Sequence, residues 1–156
     1  MTIQVDIDVA SSSVRLPSSG QIEQWISAAL VDAPDFDHSN AEVSVYIVDE
    51  DESQELNLHF RQKDSPTNVL SFPADIPPEL DIPLLGDLVV CAPVVEREAE
   101  EQTKTLDAHW AHMLVHGTLH LLGYDHINDA DADEMEQLET QILQRLGFPA
   151  PYETEP

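Results

Sequence analysis

The chain has 156 residues, 42% hydrophobic and 24% charged, which suits one packed core, is short for two independent ones and excludes a disordered composition. Six Lys+Arg stand against 31 Asp+Glu, a formal net charge of −25 at pH 7 that opposes non-specific attachment to nucleic acid or to an anionic membrane. Any polyanionic partner must therefore be held at a local site.

TIQVDIDVA at the N-terminus alternates apolar and polar residues like a half-buried strand, and SSSVRLPSSG punctuates it. It lacks the basic and apolar regions of a signal peptide, and Cys91 has no second cysteine to pair with, so a reducing cytoplasm is expected. QIEQWISAALVDA reads as a helix. AEVSVYIVDE is a second strand with Val43, Val45 and Ile47 on one face, and it runs into DESQELNLHFRQK, where Leu56, Leu58 and Phe60 suggest a short helix. NVLSFP is a third strand. PADIPPELDIP, with four prolines in eleven residues, is a loop before the buried strand DLVVC. A helix from about Pro93 to Glu101 leads into a long one centred on a run of histidines. INDADADEMEQLETQILQRLG closes the domain with Gly147 as its stop, leaving 149–156 as a loose tail. This order predicts an α+β fold over residues 1–156, with one mixed sheet covered by helices. Nothing in it is long and apolar enough to cross a bilayer. The acidic string from Asp125 to Glu139 reads as a solvated helix face.

Five of the seven histidines lie between positions 109 and 126, in HWAHMLVHGTLHLLGYDH. At about 100° per residue, His109, His112, His116 and His120 share one helix face within roughly 80°. His116 and His120, four residues apart, can present two nitrogens to one metal ion. Gly123 permits the left-handed backbone that ends a helix, and the turn brings His126 back as a third ligand. His112 and His116 are also four residues apart and compete as a ligand pair, but the set with His126 uses the glycine turn and ranks ahead. His112 is then placed one turn beneath the metal, orienting or packing, and Asp125 orients a ligand or caps the next helix.

The spacing H-x-x-x-H-x-x-G-x-x-H is that of the three-histidine zinc proteases, with one departure: the residue after the first histidine is Gly117, where those enzymes carry the glutamate base. Peptidase chemistry of that type lacks its base here. Three neutral nitrogens leave zinc an open position, the arrangement of a catalytic site. Glutamate at 117 would suit the helix unless the glycine serves close approach of another element.

A second stretch, LNLHFRQKDSPTNVLSFP at 56–73, contains Arg61 and Lys63, two of the six basic residues. On composition alone they are solvated charges at a helix end. Together with GDLVVC at 86–91 and HMLVHGTLHLLGYDH at 112–126, the stretch closely resembles the YbeY family of bacterial endoribonucleases, which act in 16S ribosomal RNA maturation and ribosome quality control. The resemblance covers nearly the whole chain. It implies a compact α+β domain with one zinc ion held by His116, His120 and His126 at the end of a central helix, and an active-cleft arginine at Arg61 that counters charge on a phosphodiester transition state. It also implies a tentative substrate contact at Lys63 and action on single-stranded RNA, in ribosomal RNA and at the small ribosomal subunit, with no membrane or DNA partner. The general base stays open among metal-activated water, Asp125, a substrate phosphate oxygen and an RNA 2′-hydroxyl. Two other readings stand beside this one: a zinc peptidase or other metal-dependent hydrolase with a different carboxylate as base, and a ribosome-binding module with a structural zinc.

Overall fold

A computed structural model of the chain describes residues 2–33, 40–74, 76, 80, 83–124 and 129–151. In chain order the elements are β1 (Thr2–Val9), α1 (Ser19–Asp32), β2 (Asn40–Val48), α2 (Glu50–Arg61), β3 (Val69–Pro73), β4 (Leu84–Cys91), α3 (Ala92–Glu101), α4 (Leu106–Leu121) and α5 (Asp129–Arg145). Together they form an α+β domain with a mixed four-stranded sheet of order β1-β2-β4-β3 and five helices. β1, β2 and β4 run parallel, and β3 pairs antiparallel to β4 at the edge. No helix among the described residues is long and apolar enough to cross a membrane.

The alternation expected for β2 sets the core. Val43, Val45 and Ile47 are buried, and their register partners Leu88 and Val90 on β4 continue the same apolar face. On this face lies α1, whose buried residues Ile22, Trp25, Ile26, Ala29 and Leu30 follow helical spacing. The helix begins at Ser19, earlier than its apolar stripe, because Ser18 and Gln21 form a capping box: Gln21 N–H donates to Ser18 Oγ (3.2 Å) and Ser18 N–H to Gln21 Oε1 (2.9 Å). α2 forms where expected, and of the three residues that suggested it Leu56 packs inward, against the cluster of Val48, Leu70, Val89, Cys91 and Val94. Leu58 and Phe60 are 48% and 52% exposed, while Ser53 and Asn57 form the buried side, bonded to the backbone carbonyls of Thr67 and Ser65. The polar anchors outrank the apolar residues because they close the loop that leads into β3. The proline-rich segment after β3 falls in large part outside the described residues, as do 152–156 of the tail.

α4 is the central element. It is buried on nearly every side, packed by α1, α3 and α5 and lying on β3 and β4. It starts at the Thr105 cap, where Ala108 N–H donates to Oγ1 (3.2 Å), and it ends at Gly123, whose φ of +102° is the left-handed turn expected there. Gly117 is where the helix meets the sheet. A Cβ at this position would lie 2.9 Å from Leu88 Cδ2, 3.2 Å from Val69 Cγ2 and 3.3 Å from Ser71 Oγ, and the Gly117 carbonyl accepts the Ser71 hydroxyl at 3.1 Å. The glycine thus serves close approach of β3 and β4, the exception under which glutamate is not expected to suit the helix.

Gly117→Ala should lose up to about 2 kcal/mol net, since overpacking of about 1–3 kcal/mol outweighs about 1 kcal/mol of gained helix propensity. Gly117→Glu, which drives a carboxylate into β3 and β4, should fail to reach the native state. Urea denaturation with near-ultraviolet circular dichroism checks both, and a wild-type midpoint for the glutamate variant would show that the sheet yields.

Candidate metal centre

The histidine stripe runs along α4 from the interior to an open cleft. His109 and His112 are buried at 2% and 6% exposure, whereas His116 and His120 are partly open. Successive rings are edge-on, with centroids 6.1 Å apart for His109–His112, 6.2 Å for His112–His116 and 4.5 Å for His116–His120. His109 is a buried core residue whose Nε2 meets Glu98 Oε1 at 2.9 Å, while its Nδ1 finds no hydrogen-bond partner among the described residues. Burial pulls Glu98 upward, but hydrogen bonds with His109 and Asn68 outweigh it and hold the carboxyl below its ordinary range.

Glu139 is the residue that the sequence reading missed. It belongs to the acidic string taken as a solvated face, yet its side chain is fully buried and faces two imidazoles. His116 Nδ1 bonds Glu139 Oε1, and His112 Nε2 lies 3.5 Å from Oε2. A signal was present: Glu139 falls in helical step with the buried Met135, Ile142 and Leu143, so it sits on the apolar stripe of α5. Desolvation lowers the pKa of His112, opposed by its bond to Glu139, and the neutral ring fits its contacts. It accepts from Lys104 Nζ at Nδ1 (3.4 Å) and donates from Nε2 to Glu139.

His116 and His120 are oriented in the same manner from different sources. Glu139 takes the Nδ1 proton of His116, and the Tyr124 carbonyl, placed by the Gly123 turn, takes that of His120 at 2.8 Å. Both Nε2 atoms then point at each other across 3.0 Å. At that distance the two nitrogens are close enough to share a proton or a metal ion. His112, His116 and Glu139 also offer ligand atoms within 4.8 Å of one another and could hold a metal. His126 and Asp125, the expected third ligand and its neighbour, lie outside the described residues.

Arg61 reaches the same place from the far side of β3. Its Nη2 donates to the Ser71 carbonyl at 3.1 Å, its guanidinium carbon stands 5.7 Å from the centre of the Phe72 ring, and it lines a cleft of about 480 Å³ with Asn68, Ser71, His116, His120 and Tyr124. The two stretches singled out in the sequence therefore meet in one cleft. Lys63 is exposed just past the left-handed cap of α2 at Gln62 and is not among the residues lining the cleft. Asn68 and Ser71 are cleft residues from within the quoted stretch that carried no assignment of their own.

The family model for "Endoribonuclease YbeY" matches residues 6–147. The chain is 65% identical over 150 residues to the Endoribonuclease YbeY of Cellvibrio japonicus (strain Ueda107), covering 96% of this chain and 83% of that protein. It is also similar to the solution structure of TM1509 from Thermotoga maritima, at 28% identity and a TM-score of 0.59 over 92% of this chain and 89% of the other.

Glu139→Gln keeps the side-chain shape and removes the charge that fixes His116. Divalent cation affinity, read by competition with a chelator, should fall about 10–100-fold, the range seen when a partner of a metal-binding histidine is lost. Unchanged affinity would reduce Glu139 to a packing residue.

Proposed function

The chain belongs to the YbeY family, and we propose that it is a zinc-dependent endoribonuclease that cuts single-stranded RNA, acting in the cytoplasm on 16S ribosomal RNA 3′ ends and in ribosome quality control. The observation that carries this reading is the convergence in one cleft of two imidazole Nε2 atoms 3.0 Å apart with the guanidinium of Arg61. The donor set suits zinc: two imidazole nitrogens whose other ring positions are already bonded to acceptors, with His126 proposed as the third ligand. Bound there, zinc would supply Lewis-acid polarisation of a phosphate oxygen or of water.

The chain's own residues do the rest. Glu139 and the Tyr124 carbonyl hold protons on the Nδ1 atoms of His116 and His120, which turns each Nε2 toward the place a cation would occupy. Arg61 is braced by the Ser71 carbonyl and the Phe72 ring. Its remaining N–H groups are available to a phosphate as charge develops in the transition state. Lys63 adds positive potential beside this arginine and serves as an outer substrate contact. Position 117 contributes no base, since the space beside its backbone is filled by Leu88, Val69 and Ser71, and this weighs against a peptidase of the glutamate-dependent type.

The alternative placement of the cation, on His112, His116 and Glu139, has an imidazole in common with this one but differs at His120. His116→Ala, His120→Ala and His126→Ala should each lower zinc content by elemental analysis, whereas His109→Ala should not. Full zinc in His120→Ala together with loss in His112→Ala would move the ion to the buried cluster. Arg61→Ala should keep its zinc and lose about 100-fold or more in single-turnover cleavage of single-stranded RNA, with Arg61→Lys recovering only part. Undiminished cleavage in Arg61→Ala would leave the arginine a solvated bystander.

A further inference from the structure

Beyond the cleft, the last turn of α2 carries an arrangement that neither the fold nor the metal centre uses. Phe60 is 52% exposed and Leu58 beside it 48%. Single exposed apolar residues are ordinary on protein surfaces. Phe60, however, is held in place on two sides. His59 packs edge-on against it with ring centroids 4.6 Å apart, and Phe72 does so at 5.0 Å. Phe72 in turn lies beneath the Arg61 guanidinium that lines the cleft. A row of rings thus leads outward from the cleft across the edge strand β3, ending at a half-exposed phenyl group.

Charge identifies what this row would receive. On a chain of net charge −25, two of the six basic residues, Arg61 and Lys63, lie within three positions of Phe60. The others are placed differently: Arg97 faces Glu50, Arg145 bonds Asp32, Lys104 is half-buried beside His112 and Arg15 precedes α1. A fixed aromatic face beside a local pair of cations is the combination by which proteins hold unpaired nucleotides, with bases stacking on rings and phosphates meeting the charges. An apolar protein surface would gain nothing from the flanking cations.

We propose that Phe60, braced by His59 and Phe72, is a stacking platform for one base of single-stranded RNA, next to the nucleotide whose phosphate meets Arg61. This deepens the endoribonuclease reading above and rests on it. Because neighbouring rings already fix Phe60, little rotamer freedom is lost when a base settles on it. The contact is indifferent to sequence, since every base has a stacking face. It should govern how tightly RNA is held rather than how fast a bound phosphodiester is cut.

The test uses the zinc-loaded protein, a single-stranded RNA oligonucleotide and the same oligonucleotide with abasic residues. Phe60→Ala should keep the circular dichroism and zinc content of the parent and bind the intact oligonucleotide about 10–100-fold more weakly. The loss should appear in KM, with kcat nearly unchanged. Phe60→Trp should restore binding, and its indole emission should be quenched by RNA. On the abasic oligonucleotide the parent and Phe60→Ala should bind alike. Equal affinity of both proteins for intact RNA overturns the platform and leaves the nuclease reading standing. An equal loss on intact and abasic RNA also overturns it, by showing that Phe60 acts through the placement of Arg61. A parent protein that neither binds nor cuts RNA removes the nuclease reading and the platform together.

Discussion

A carboxylate with no exposed surface must be answered by donors within contact distance, because an unpaired charge in the interior costs several kcal/mol. In this protein that carboxylate is Glu139, and much of the architecture follows from how it is answered. Its two oxygens face His116 and His112, so α5 is docked on α4 at a fixed rotation, and the histidine face of α4 must run along the interior instead of toward solvent. The same contact that joins two helices sets the tautomer and aim of His116. The docking of α5 on α4 and the arrangement of the candidate metal ligands thus rest on the same contacts, and neither helix can be repositioned without disturbing the other's polar groups.

Charge elsewhere is arranged around scarcity. Of the cations that the sequence could not place, Arg97 and Arg145 are tied to carboxylates and Lys104 is drawn inside, where burial lowers its pKa against the pull of Glu98 and Glu139. Positive potential directed at solvent near the cleft is left to Arg61 and its neighbour Lys63. An anionic ligand is repelled by most of this surface, so the attraction it meets at the cleft is concentrated at one end of α2. The acidic composition serves as a background against which that single region is defined.

The parts of this plan that obey a simple period were legible in the sequence. Val43, Val45 and Ile47 alternate, and their face is the core; His109, His112, His116 and His120 share a helical face, and they share it in the fold. Gly123 ended its helix as its chemistry requires. What failed to show was meaning that depends on a distant partner. Glu139 is one acid among many until the apolar stripe around it is read residue by residue. Gly117 resembles an ordinary substitution in a protease motif until Leu88, Val69 and Ser71, from two other strands, are seen to close around it. Leu58 and Phe60 promised an apolar helix face and instead point outward, because hydrogen bonds from Ser53 and Asn57 to the chain before β3 decide which side of α2 is turned in.

The position of β3 at the edge of the sheet adds a second meaning to one side chain. An edge strand offers outward backbone groups to any other extended chain, and proteins avoid such pairing by covering or removing them. Along β3 three of the outward positions carry such a device: the Val69 N–H is taken by the side chain of Asn68 (2.6 Å), the Ser71 carbonyl by Arg61, and Pro73 has no N–H to give. The guanidinium beside the histidines is thus also a guard against edge-to-edge aggregation. Loss of this side chain would therefore uncover an edge carbonyl as well as remove a cation from the cleft.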